Sequence, residues 1–397
     1  LMDNSMSTAD RWLLPDGIEE VLPPQARGVE QLRRHLLDDF DRWGYDFVIP
    51  PALEYLDSLL TGTARDLDLQ TFKVTDQLSG RLMGLSADTT PQTARIDAHS
   101  WAQKGVSRLC YCRTVFHAKA ASILAGRTPT QIGAELYGES GAGADIEIIS
   151  LMLNTLQQAG LQDLHLDLGH VGIFKAFAEK AQLSNVAEEK LFALLKVKCA
   201  TDLDAWAEEY LSDAALTQAF KAIVRLQGGI EVLDQVAEQL ASVVPEVTDI
   251  IKHLKQVCQA IATRYKVPMY FDFTDLRGYN YHTGLVFAAY VPGYGDAIAQ
   301  GGRYNETGAV FGRARPATGF SADLKVLAQL GRFATTQASI VKAPAPYGQS
   351  QEQELLDLIA ELRANGKRVE VQLSGELPTS GARVELKDGQ WKLIESN

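Results

Sequence analysis

Cysteine is scarce. Four residues in 397, Cys110, Cys112, Cys199 and Cys258, are too few and too unpatterned for a disulfide framework, which points to a reducing, cytoplasmic setting. Cys110 and Cys112 stand two apart in a strand-like run, so alternation puts both on one face as core packing. Basic charge is also in deficit: 38 Lys and Arg against 50 Asp and Glu give a formal charge of −12, so no bulk field draws the chain to nucleic-acid phosphates or anionic lipid. No apolar run approaches the length of a membrane span, and Leu1 to Thr8 lack the basic-then-apolar order of a targeting segment. A soluble protein with no membrane partner and a disordered start over 1–10 is expected. Phosphate loops are missing too: there is no G-x-x-x-x-G-K-[ST], and Gly138, Gly141 and Gly143 do not make G-x-G-x-x-G. The seven histidines form neither H-E-x-x-H nor a paired cysteine–histidine set, and no G-x-S-x-G elbow occurs. No metal and no cofactor is expected.

What is present is ordinary globular composition, 46% hydrophobic and 22% charged, with length for two or three domains. Val29, Leu32, Leu36, Phe40 and Trp43 recur at helical spacing, Gly44 stops that helix, and Tyr45 to Ile49 reads as a strand halted by Pro50-Pro51. Asp145 is placed to cap a second helix, ended by Gly160, before a strand at Leu164 to Leu168. Short β-type runs lie at Arg108 to Val115 and Gln131 to Tyr137 and return at Met269 to Phe273 and Leu285 to Tyr290. Neighbouring strands with helices set apart favour an α+β fold with a largely antiparallel sheet flanked by helices. The pattern over 172–264 is nearly all helix formers, a helical insertion that splits the sheet-bearing core into 11–171 and 265–334. Residues 335–350, rich in Ser, Ala and Pro, read as a linker, and 351–397 as a small C-terminal α/β domain with a hairpin at Asp388-Gly389.

Four stretches carry a resemblance: Gly84 to Ile96, Arg108 to Gly138, Leu276 to Phe287 and Gln300 to Leu327. Leu276-Arg-Gly-Tyr-Asn-Tyr-His-Thr-Gly-Leu-Val-Phe287 resembles the R-G-L-D-Y-Y signature of histidyl-tRNA synthetases, class II aminoacyl-tRNA synthetases, and Gly301-Gly-Arg-Tyr304 resembles their G-G-R-Y. Gln131-Ile-Gly-Ala-Glu135 resembles the Q-x-G-x-E that contacts the amino acid, and Arg42 to Pro51 resembles the dimer-forming first motif. The resemblance implies a class II synthetase-like core and a histidine pocket. Glu135 would face the ligand, Gln131 and Thr90 would hold its amino end, Arg277 would approach its carboxylate, and Tyr281 and Tyr304 would wall the site. Asp88 stands in place of a glutamate and His282 in place of a tyrosine. An amino-acid zwitterion with an imidazole needs such a set: an anion, donors for a carboxylate, ring acceptors and apolar walls.

Adenylation asks for arginines on a triphosphate. Where the second motif reads F-R-x-E this chain has Phe116-His117-Ala118-Lys119, and the third motif's arginine position falls on Val326. The last 53 residues, with nine acids and six bases over 345–397, are too few for an anticodon-binding domain, so no tRNA partner is expected. These departures resemble a non-catalytic branch of the family, the regulatory subunits of ATP phosphoribosyltransferase. That resemblance implies no catalytic residues of its own, a short-form catalytic subunit as partner in a hetero-octamer built on dimers, activation of that partner, and L-histidine as inhibitory effector. Two other readings stay open: an active histidyl-tRNA synthetase or related ATP-dependent amino-acid ligase, and a stand-alone histidine sensor or scaffold.

Overall fold

A computed structural model describes residues 12–61, 65–120, 122–197, 199–274, 281–333, 339–374, 377 and 380–395; the side chains of 65, 66 and 196 are not described. The expected disordered start over 1–10 lies outside them. The chain divides into two compact units, 1–333 and 334–397.

In chain order the strands are β1 (Asp46–Phe47), β2 (Leu53–Tyr55), β3 (Lys73–Thr75), β4 (Leu82–Leu85), β5 (Ser107–Thr114), β6 (Thr130–Tyr137), β7 (His165–His170), β8 (Gln227–Gly228), β9 (Met269–Asp272), β10 (Leu285–Tyr290), β11 (Ala299–Arg303), β12 (Ala317–Asp323), β13 (Ile340–Pro344), β14 (Arg368–Gln372), β15 (Arg383–Lys387) and β16 (Gln390–Ile394). Among the described residues, nine of them form one sheet in the order β1-β5-β6-β12-β11-β10-β7-β9-β8. Only the β1–β5 and β7–β9 pairs are parallel, so the sheet is largely antiparallel, as expected. A second sheet, β2-β4-β3, lies outside it.

The back of the large sheet is closed by helices whose apolar faces the spacing anticipates. The helix Gln25–Arg42 buries Leu32, Leu36 and Phe40, one turn apart. The helix Ala142–Gln158 buries Ile148, Ile149, Leu151, Met152, Leu153 and Leu156, a face wide enough to be covered by both sheet and helices. It stops at Gly160, whose N–H bonds the Gln157 carbonyl at 2.9 Å while Leu161 N–H bonds Leu156 O at 3.1 Å, satisfying two terminal carbonyls. Gly160 has φ +82°, and a Cβ there would lie 2.6 Å from the Arg332 backbone, so both conformation and space call for glycine. Cys110 and Cys112 lie in the same core, and burial pushes their thiols up to about 12 and about 11. The stretch between β7 and β9 is helical apart from β8, with Val171–Lys180, Asn185–Val197, Ala200–Tyr210, Ala214–Ile223, Val232–Leu240 and Val247–Arg264.

Three expectations need correction. Asp145 is not a cap: the helix begins at Ala142 after Gly141, and the Asp145 side chain is buried against Arg303 at 2.9 Å and His253 at 2.9 Å. Burial works to raise its pKa, but the His253 hydrogen bond and the Arg303 charge outweigh that and hold it below the usual aspartate value. Of the expected strand Tyr45 to Ile49, only Asp46–Phe47 pairs, with β5 alone as neighbour. The expected linker over 335–350 contains β13, which pairs in parallel with both β14 and β15; its Val341 and Ala343 are buried in the second unit's core beside Leu355 and Ile359 of the helix Glu352–Ala364. A five-residue strand between Ser, Ala and Pro residues has a linker's composition. Asp388-Gly389 closes the hairpin β15–β16.

Removing Asp145 should leave the Arg303 guanidinium buried without its counter-charge. Asp145→Ala is expected to lower unfolding stability by ~3 kcal/mol in urea titrations, and Asp145→Leu combined with Arg303→Met to lose clearly less than the sum of the two single replacements.

Candidate functional site

The open face of the large sheet is set by register. Glu135 on β6 stands between Leu109 of β5 and Gly319 of β12. Its carboxyl leans over the side-chain-free neighbour: a Cβ on Gly319 would fall 1.5 Å from Glu135 Oε2. Glycine at 319 is therefore a spatial requirement of the carboxyl. Glu135 is 1% exposed, and three hydroxyls donate to it: Thr90 Oγ1 to Oε1 at 2.9 Å, Tyr111 OH to Oε1 at 3.1 Å, and Tyr304 OH to Oε2. Tyr304 also lies 3.2 Å, hydroxyl to hydroxyl, from Tyr137, and the two rings meet edge to face at 6.3 Å within a small apolar cluster with Ala94, Leu109 and Ala317. Burial raises the Glu135 pKa to about 8 despite the three hydroxyl donors. Burial likewise holds the phenols of Tyr111, Tyr137 and Tyr304 well above their ordinary range, with the Glu135 charge acting in the same direction.

The mouth of the site is built around Asp88. Gln131 Nε2 donates to Asp88 Oδ1 at 2.8 Å while Gln131 Oε1 accepts from Thr89 N at 2.9 Å, which fixes the amide's orientation. Thr90 N donates to the same Asp88 oxygen at 3.1 Å, at the start of the helix Thr90–Arg95. Asp88, Thr90 and Gln131 are half-buried. Tyr281 is 41% exposed overall, yet burial of its hydroxyl, together with the charges of Asp88 and Glu135, raises its pKa above the usual tyrosine value. Its ring rests on His282, centroids 4.1 Å apart.

Of the residues singled out from sequence, Asp88, Thr90, Gln131, Glu135 and Tyr304 are thus joined by one hydrogen-bonded chain or its neighbours, with Tyr281 facing them. His282 stands one layer back: it is buried, its Nδ1 is 3.3 Å from the Arg303 carbonyl, and burial drops its pKa to about 4, so the ring is neutral. Arg277 lies outside the described residues. Tyr111, Tyr137 and Gly319 were not singled out from sequence, although period-two alternation places Tyr137 on the face of Glu135.

A buried carboxyl held by hydroxyls, a second carboxylate at a half-open mouth, an oriented amide and aromatic walls suit a small zwitterion with a nitrogenous side chain. Among the described residues, two neighbouring arginines are engaged by backbone carbonyls. Arg113 donates to Pro50 O at 2.9 Å and Pro51 O at 2.8 Å, Arg127 to His117 O at 3.0 Å, and Val326 packs against the core. The His117 ring is turned to the Ala87 carbonyl at 2.9 Å. Among the described residues no cluster of His, Cys, Asp or Glu suited to a metal is formed.

This sheet and face define a class II synthetase-like protein. Residues 17–327 match the family described as Histidyl-tRNA synthetase. Proteins named ATP phosphoribosyltransferase regulatory subunit are similar along nearly the whole chain. That of Chromohalobacter salexigens is 53% identical over 393 residues, covering 99% of this chain and 98% of its own, and that of Cellvibrio japonicus is 50% identical over 392 residues, covering 98% and 96%. A crystal structure described as an ATP phosphoribosyltransferase regulatory subunit/histidyl-tRNA synthetase from Bacillus halodurans C is similar with a TM-score of 0.81 at 25% identity, covering 94% of this chain and 96% of that one. The chain belongs to the family of ATP phosphoribosyltransferase regulatory subunits, paralogues built on the histidyl-tRNA synthetase fold.

The raised pKa of Glu135 has a signature in the ligand-free protein. Between its ordinary value of 4.5 and about 8 the folded state keeps a proton that the unfolded state has released, so this group's contribution to stability falls as pH rises through that window and levels off above it. Unfolding free energies from urea titrations at pH 5, 6.5 and 8 should decline by up to ~1.4 kcal/mol per pH unit from this source, and Glu135→Gln should flatten the decline.

Proposed function

We propose that this chain binds a short-form ATP phosphoribosyltransferase catalytic subunit, raises its activity and conveys feedback inhibition by L-histidine in the first step of histidine biosynthesis. Phosphoribosyl transfer then takes place on the partner, and the working assembly is a hetero-octamer in which this chain pairs with itself as a dimer. The single observation that carries the reading is the Glu135–Asp88 site, with carboxyl groups and hydroxyls where an amino acid fits and no uncommitted arginine described beside it for a triphosphate. In the proposed pose the ligand's ammonium meets Asp88 and Gln131, its ring nitrogen meets Glu135, and Tyr281 and Tyr304 form the walls, with Thr90 at the amino end. His282 supports Tyr281 from behind, and Arg277 is assigned to the ligand carboxylate from the family resemblance alone. The helical stretch 172–264 is proposed as an inserted domain within the core 11–171 and 265–334.

An effector acts only by differential binding to inhibited and active assemblies. Mixing the purified chain with a short-form catalytic subunit should raise the rate of phosphoribosyl transfer, and histidine should then suppress it. No gain in rate on mixing sinks the reading; histidine-dependent pyrophosphate exchange into ATP by this chain alone would favour a synthetase instead. A donor delivered to Glu135 stabilises its ionised form, so histidine should bind with proton release near pH 7 and more tightly as pH rises from 6 to 8. Calorimetry in buffers of different ionisation enthalpy measures this release. Glu135→Gln should abolish it and weaken binding by about 1.5–3 kcal/mol, the range for a hydrogen bond to a charged group.

A further inference from the structure

The helix that carries Thr90 is fastened by its third residue to a segment outside the pocket. Gln92 is 2% exposed, and every hydrogen-bonding position of its amide is used. Nε2 donates to Pro51 O at 2.8 Å and Glu54 Oε1 at 2.5 Å; Oε1 accepts from Arg113 Nη1 at 3.2 Å and lies 2.7 Å from the Ser86 hydroxyl. Reversing the amide would set its oxygen against two acceptors, so the orientation is fixed. The Ser86 hydroxyl also lies 3.0 Å from the Asp88 carbonyl, so one side of Gln92 reaches the backbone of a pocket residue. The other side reaches Glu54, which takes a second donor, the Arg95 guanidinium, at 2.6 Å. Glu54 is the middle residue of β2, and alternation puts its carboxylate inward while Leu53 and Tyr55 face solvent. Arg113 joins the same group by holding the carbonyls of Pro50 and Pro51.

A buried amide with four partners has nowhere else to turn. If its helix shifts, either the partners follow or a buried polar group is left unmatched, which is the costlier outcome. Resting on the histidine-pocket reading above, we propose that Gln92 is a positioning residue that couples occupancy of the Asp88–Thr90 end of the pocket to strand β2 through Glu54. The element that moves is the start of the helix Thr90–Arg95, because among the described residues Thr89 N and Thr90 N are held by the Gln131 and Asp88 side chains that the ligand would engage. The far end is anchored: the following π-helical turn Ile96–Ser100 contains Asp97, buried and paired with Arg315 at 2.8 Å. Occupancy thereby reaches the outward row Leu53 and Tyr55, which β2 shares with its neighbour β4. Coupling is reciprocal, so disturbing Glu54 must alter ligand affinity although Glu54 does not touch the ligand.

Hydrogen–deuterium exchange on the full chain with and without histidine, alongside calorimetry, tests this. Exchange is expected to change in peptides covering 86–92 and also 50–56. Glu54→Ala should abolish the 50–56 response and weaken histidine about tenfold, which by linkage corresponds to ~1.4 kcal/mol. Glu54→Gln, which keeps an oxygen acceptor for Gln92 and Arg95, should restore most of both. Histidine binding that changes exchange at 86–92 alone overturns the coupling and leaves the pocket reading standing, as does a folded Glu54→Ala with unaltered affinity and response. Absence of any histidine heat overturns the pocket reading and the coupling with it. Should Glu54→Ala fail to show a cooperative melt, the wild-type exchange pattern decides.

Discussion

Taking a carboxyl group out of water is the most expensive thing this fold does on its open face, and the surroundings of Glu135 are organised by that expense. Four separate pieces of chain answer it. β5 contributes the Tyr111 hydroxyl, the start of the helix Thr90–Arg95 contributes Thr90, and the residue just past β11 contributes Tyr304. β12 contributes a gap, Gly319, into which the carboxyl leans. None of these groups can be placed without the antiparallel register that puts 109, 135 and 319 in one row, so the constraint reaches from one side chain to the order of the sheet. Burial still wins over the three donors and raises the carboxyl's pKa to about 8.

Legibility in the sequence followed the range of the interaction. Helices with apolar residues one turn apart, such as Gln25–Arg42, and strands with tight turns, such as β15–β16, are local patterns and were readable. Asp145 was misread because an acid ahead of an apolar run looks like a cap, while its true partner Arg303 lies 158 residues away. β13 was misread because five residues among Ser, Ala and Pro carry too little periodicity to stand out, and its identity comes from two neighbours that follow it in the chain. In the site, Glu135 and Gln131 were visible through a spaced motif. Tyr111 was not, since a strand tyrosine in a sequence looks like core, and only the pairing of Tyr111 with Gly133 turns its hydroxyl towards Glu135.

The distribution of charge supports the proposed amino-acid ligand over a triphosphate. One layer behind the two carboxyl groups, the His282 ring is kept neutral by burial, which lowers its pKa to about 4. Arg113 and Arg127 each donate through Nε and Nη1 to backbone carbonyls, and Arg303 and Arg315 are paired with buried aspartates. A guanidinium whose donors are already engaged must break those bonds before it can grip a phosphate, whereas an ammonium meeting a half-buried aspartate displaces little. On the proposed reading, the same scaffold favours a small cation-bearing ligand without any change of fold.

Regulation adds a demand that binding alone does not meet, because a ligand shifts an equilibrium only if something it touches differs between the states. The helix Thr90–Arg95 is short enough to serve as that element, being less than two turns long and followed by a widened π turn locked through Asp97 and Arg315. Its start is held by side chains, not by a sheet ladder, and its middle is bolted through Gln92 to β2. A helix fixed at one end and adjustable at the other can turn a change at Asp88 into a change at Glu54 while the large sheet stays still. Such a lever would work against the large sheet, whose register around Glu135 joins β5, β6 and β12 beneath it: a floor that yielded would absorb the displacement before it reached the surface.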